Sequence, residues 1–211
     1  MSVRTILMAD IIRSRTRDPA RLMKEFADLC AAANRAFRTR LESPLTITLG
    51  DEFQAIPSSW LGGVELILYL EEESIRAGRE FRLRYVLVRG AVETPINRKI
   101  GYGMLGAGLT RARELVEGAK RSTARFRFEG GPEPGTELLN RLFVVYASLR
   151  DSWQPGADYA LVARFLRGEH YRAIARGWGK DPSQIWKRRR SLRIVPYLEL
   201  RQAILQIASQ Q

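Results

Sequence analysis

The sequence predicts an α+β protein, a mixed sheet with helices followed by a small all-α domain, and three observations carry that expectation. Within the first 129 residues, short β-branched apolar runs alternate with segments of helical period. Two of those runs, Leu45 to Leu49 and Phe53 to Ile56, are joined too tightly for a crossover and must pair antiparallel, unlike the strands of a doubly wound Rossmann sheet. After the Gly- and Pro-rich segment Glu129 to Gly135, every remaining periodic stretch is helical.

Thr5 to Ile12 reads as a buried strand followed by the polar turn Arg13-Ser14-Arg15-Thr16-Arg17. Asp18 is placed to cap a helix with Pro19 at its first position, and Leu22, Phe26, Leu29, Ala33 and Phe37 recur at helical spacing to about Arg40. The hairpin comes next, with Gly50-Asp51 at the two central positions of a type II′ turn. Ser58 or Ser59 caps a helix that runs through Ala77, and Gly78 ends it. Phe81 to Val92 is a strand, Thr94 to Gly103 a loop, Leu105 to Ala119 a helix and Ser122 to Phe128 a further strand, giving the order β-α-β-β-α-β-α-β. Thr136 to Trp153 forms an amphipathic helix with Leu138, Leu139, Leu142, Val145 and Leu149 on one face. Ala157 to Arg167, His170 to Arg176 and Pro182 to Leu192 are three short helices, and Pro196 to Ala208 a fourth. The expected units are therefore 1–129, a linker and connecting helix over 130–153, and a helical domain over 154–211.

At 211 residues, with 45% hydrophobic and 27% charged residues, the chain is long enough to bury a real core throughout. The net charge of +12 points to polyanionic partners, nucleic acid or nucleotides among them. Residues 151–211 hold 11 basic and 5 acidic side chains, so about half of the excess lies in the helical tail. One cysteine, Cys30, and one histidine, His170, exclude an intrachain disulfide, a zinc cluster and a Ser or Cys triad. Cys30 is expected buried on the first helix, and His170 half-buried on a later one. No signal-like or membrane-spanning run is present, so a cytoplasmic protein with no membrane partner is expected.

Two groups of residues suggest chemistry. Asp10 ends the first strand and Asp51 sits at the hairpin tip; if that strand lies beside the hairpin, two carboxylates converge as a hydrated Mg²⁺ (or Mn²⁺) holding substrate phosphates requires. Glu52 ranks behind them, because a neighbour of Asp51 should face the other way. In the tail, Tyr171 to Gly179 followed by a capped helix has helix-turn-helix spacing and resembles the DNA-reading unit of transcription regulators and sigma-factor-like domains. Ser183 and Gln184 lead that second helix and Lys187, Arg188, Arg189 and Arg190 follow, an order suited to base contact with phosphate clamping.

Ala9-Asp10-Ile11-Ile12-Arg13-Ser14-Arg15, Thr46 to Gln54 and Gly106 to Arg113 together resemble the SatD family, over nearly the whole chain. That family resembles nucleotidyl cyclases and GGDEF diguanylate cyclases, which implies a palm-like, ferredoxin-like sheet for residues 1–129. The resemblance makes Asp10 and Asp51 metal ligands. It places a nucleoside triphosphate on the backbone after Asp10, from Ile11 and Ile12 through Arg13, Ser14 and Arg15, with Arg13 and Arg15 as counter-charges. Arg113 matches the cyclase arginine that steadies transition-state charge. Leu49, Leu105 and Leu109 depart from the catalytic patterns, which sets nucleotide binding ahead of turnover. The expected function is a regulator that binds DNA through its tail and a metal-nucleotide through its first domain, acting as a homodimer; the alternative is an active cyclase or nucleotidyltransferase using two Mg²⁺ ions.

Overall fold

A computed structural model describes residues 2–210. Five strands, β1 (Ser2–Ile11), β2 (Leu41–Ile47), β3 (Glu52–Pro57), β4 (Leu83–Val92) and β5 (Phe126–Glu129), form one sheet in the order β2-β3-β1-β4-β5. Helix α1 (Pro19–Ala36) connects β1 to β2, and α2 (Trp60–Arg76) connects β3 to β4. The first four strands are antiparallel to their neighbours, which is the β-α-β-β-α-β ferredoxin-like arrangement. Helix α3 (Ala107–Ala119) then returns the chain so that β5 adds parallel to β4. The fold class is thus α+β, as expected.

Local chemistry sets the ends of these elements. The Asp18 side chain accepts a bond from the Arg21 N–H at 2.7 Å with Pro19 just inside α1, and Ser59 does the same for Gly62 at 3.0 Å in α2. Cys30 is buried on the inner face of α1. The hairpin departs from expectation. Its tip spans three residues, Leu49-Gly50-Asp51, closed by the Thr48 N–H on Glu52 O at 2.9 Å. Inside it the Asp51 N–H bonds Leu49 O at 2.7 Å, a γ-turn centred on Gly50 (φ 72°) rather than a two-residue type II′ turn.

Each face of the sheet is covered. Leu7, Ala9 and Ile11 of β1 join Phe53, Tyr85 and Leu87 under α1 and α2, while Ile6 and Met8 point the other way, with Val86 and Val88, toward Leu109, Ala112 and Val116 of α3. Helix α4 (Gly135–Asp151) leans on β5, and α5 (Tyr159–Leu166), α6 (Tyr171–Trp178), α7 (Pro182–Ser191) and α8 (Ile194–Ser209) follow. Leu139, Phe143, Tyr146 and Leu149 form the buried stripe of α4; Leu138 and Val145, expected on that face, are exposed, because Phe126 and Phe128 of β5 pack in tilted contact with Phe143 and turn the helix toward its aromatic side. His170 is an exposed N-cap of α6, its Nδ1 accepting from the Arg172 N–H at 3.4 Å, rather than a half-buried helix residue. Helices α5 and α8 pack on α2, so the helical tail shares one core with the sheet.

Candidate functional site

Where β1 ends, a cavity of about 990 Å³ opens between the loop after Asp10, the hairpin tip, the start of β4 and the segment after α3. That volume is at the upper end of the range for small-molecule sites. Seven basic and three acidic side chains line it, a net charge of +4. Arg13 takes a left-handed conformation (φ 57°, ψ 41°), uncommon for a side-chain-bearing residue, and a single 3-10 turn over Ser14–Thr16 follows. The N–H groups of Arg13, Ser14 and Arg15 make no backbone hydrogen bond among the described residues, and a left-handed residue followed by a helical one is the backbone sequence of an anion-binding nest.

The register brings the expected acids together. Asp10 lies directly opposite Glu52 on β3 and opposite Arg84 on β4, so the three side chains share one face of the sheet. Asp51 is held at the same end, its carbonyl accepting from the Ile11 N–H at 2.9 Å and its Oδ2 from the Ser14 hydroxyl at 2.5 Å. Asp10 and Asp51 both line the cavity; Glu52 does not, and it is paired with Lys120 at 3.2 Å.

Those residues do not fit a ready-made Mg²⁺ or Mn²⁺ site. Both oxygens of Asp10 accept from Nη1 of Arg84, at 2.9 and 2.7 Å, and Asp10 is only 3% exposed. Burial pushes the Asp10 carboxyl above its usual range although Arg84 and Lys120 pull it down. Among the described residues no three Asp, Glu, His or Cys side chains converge as a metal cluster. The cation beside Asp10 is therefore the Arg84 guanidinium.

The run of open N–H groups after Asp10 is also shorter than the expected cradle. Ile11 and Ile12 line the cavity, yet their N–H groups are engaged by Asp51 O and Arg82 O, both at 2.9 Å, which leaves Arg13, Ser14 and Arg15. Arg113 is exposed on α3 and does not line the cavity. Sequence reasoning missed Arg17, Arg82, Arg84, Lys120 and Arg125. The signal for two of them was available: Arg82 and Arg84 alternate at the start of a strand that, if antiparallel to β1, sets Arg84 against Asp10.

One wall leads away from the sheet. Arg125 donates to Glu71 at 2.6 Å and to Asp151 at 2.5 Å, and Glu71, on α2, also pairs with Arg150 at 3.1 Å. Arg150 in turn donates to the Tyr159 hydroxyl at 2.8 Å, at the start of α5. In the tail, α6 ends at Gly179 and α7 is capped by Asp181, which accepts from the Ser183 N–H at 2.7 Å. Only Ile185 of α7 is buried; Ser183, Gln184, Lys187 and Arg190 are exposed and Arg189 is partly so. Arg188 is tied to Asp158, which removes it from the free cations of that face.

The fold and cavity define a ferredoxin-like α+β protein with a basic cavity and a tail of short helices. The chain belongs to the SatD family: the family's sequence model matches residues 5–124. Among solved structures it is similar to a bacterial light-regulated adenylyl cyclase, at 17% identity and a TM-score of 0.46 over 61% of this chain and 77% of that one. It is also similar to the guanylyl cyclase Cya2, at 16% identity and a TM-score of 0.36 over 55% of this chain and 70% of that one. Comparison with curated proteins finds no match.

Proposed function

We propose that this SatD-family protein is a DNA-binding regulator that takes a nucleotide in the cavity beside Asp10. In this reading residues 1–129 form the nucleotide unit, the helix within 130–153 connects, and 154–211 read DNA, with the protein acting as a cytoplasmic homodimer. The observation that carries it is the shared wall. Arg125 belongs at once to the cavity and to the ion-pair chain through Glu71 and Arg150 to Tyr159. A ligand phosphate drawing on Arg125 competes with Asp151, the last residue of α4, and two residues later Trp153 holds the end of α7 through its indole N–H on Leu192 O at 2.8 Å. Arg113 faces outward and would serve the cavity of a second copy.

Fluorescence anisotropy of the full chain on a labelled duplex, titrated over a range of salt, tests the DNA half. Replacing Gln184, Lys187 and Arg189 with Ala weakens binding and lowers the salt slope by about 1 for each lost phosphate contact. A triple variant that binds like the parent refutes α7 as the reading helix. For the nucleotide half, ATP or GTP must change the DNA affinity, and Glu71→Gln must reduce that change.

A further inference from the structure

We propose that the cavity binds its polyphosphate without a divalent cation, the Arg84 guanidinium standing beside Asp10 where a metal would otherwise sit. The inference rests on the nucleotide reading of the same cavity and narrows its ligand to a metal-free polyphosphate chain.

Three observations support it. The first is the grip on Asp10. A metal there must displace a guanidinium that both carboxylate oxygens accept, and the displaced Arg84, itself only 9% exposed, would be left buried without a counter-charge. The second is that Arg84 has donors to spare: its Nη2 meets no protein acceptor among the described residues, and its Nε is buried without one. A phosphate oxygen entering the cavity is the acceptor that Nη2 lacks. The third is charge. A cavity of net +4 complements a polyphosphate best when no Mg²⁺ has already neutralised part of it. Arg13 and Arg15 make no ion pair among the described residues, so both remain available at the lip beside the free N–H groups.

Calorimetry of the full chain with inorganic tripolyphosphate, ATP and GTP, each in EDTA and again in excess Mg²⁺, tests the inference. Binding in EDTA at least as tight as in Mg²⁺ is expected; equal affinity for tripolyphosphate and nucleotides assigns recognition to the phosphate chain alone, and tighter nucleotide binding adds the base. Binding seen only with Mg²⁺ overturns this inference and leaves the nucleotide reading standing, whereas no binding in either condition overturns both.

Two variants separate this site from the basic face of α7. The near-isosteric pair Asp10→Asn with Arg84→Gln removes the ion pair without stranding a charge, and it should weaken tripolyphosphate binding in EDTA by roughly tenfold or more. Lys187→Ala should leave that binding unchanged; the reverse pattern overturns the assignment. Electron paramagnetic resonance with Mn²⁺ gives an independent readout. The parent protein should bind no Mn²⁺, and Arg84→Ala should gain a site that a further Asp10→Asn removes. Tight Mn²⁺ binding by the parent, lost in Asp10→Asn, overturns the inference even where Arg84→Ala does not fold.

Discussion

Glu71→Gln is the most informative single change for the buried charge chain. Glu71 is 2% exposed, with Oε1 2.6 Å from Arg125 and Oε2 3.1 Å from Arg150. Glutamine preserves the shape and removes the charge. Arg125 then keeps Asp151, but Arg150, 1% exposed, retains only the Tyr159 hydroxyl and the face of its ring. Stranding one buried cation in this way costs about 3–5 kcal/mol. For a chain of this length each kcal/mol lowers Tm by about 2–4 °C, so a fall of roughly 6–20 °C is expected by calorimetry or circular dichroism. Adding Arg150→Met should recover part of the loss, with a coupling of about 0.5–3 kcal/mol. The pH dependence has a definite sign. Burial alone would raise the Glu71 carboxyl, but Arg125 and Arg150 outweigh it and hold the group below the usual glutamate value near 4.5. A lowered folded value means that the stabilisation is complete above the unfolded value and is lost as pH falls through the folded one. The gap between parent and variant should therefore be widest near neutral pH and close in acid. A loss under about 1 kcal/mol at neutral pH would refute the claim that these charges are desolvated and coupled.

Gly108→Ala should destabilise by about 1–3 kcal/mol in urea denaturation, because a Cβ there would lie 2.6 Å from the Gly90 carbonyl carbon, where α3 meets β4 backbone to backbone. A neutral substitution would mean that α3 can slide away without penalty. Cys30 should resist thiol reagents in the native protein and react on unfolding, since burial lifts its thiol to about 12; native labelling at the rate of a free thiol would contradict its place on the inner face of α1.

The order of elements was legible because each signal was local. Asp18-Pro19 and Ser59 cap helices by bonds to N–H groups three residues away, and the spacing of Leu22, Phe26, Leu29 and Ala33 reports one buried face of α1. Where non-local contacts decide, the local signal failed. Leu138 and Val145 satisfy a helical stripe on paper, but the aromatic surface of β5 sets which stripe of α4 turns inward. Gly50-Asp51 fits a two-residue turn by composition, yet the Thr48 to Glu52 bond widens the tip.

The cavity shows the same division at the level of chemistry. Asp10 and Asp51 could be paired from sequence by supposing that β1 lies beside the hairpin, and the register places them at one end of the sheet. A carboxylate's partner, however, depends on the other neighbouring strand as well. Asp10 sits on a central strand between Glu52 and Arg84, and nothing within β1 says which side prevails. Geometry does: Glu52 turns to Lys120, while Arg84 closes on Asp10 with both oxygens in reach. An acid pair that reads as a cation site in one dimension thus becomes, once the fourth strand is added, the anchor for a cation that the chain itself supplies. In the proposed reading the chemistry of the cavity turns from metal binding toward anion binding, and the basic wall that would hold a phosphate is bonded through Arg125 to Glu71 of α2 and Asp151 of α4.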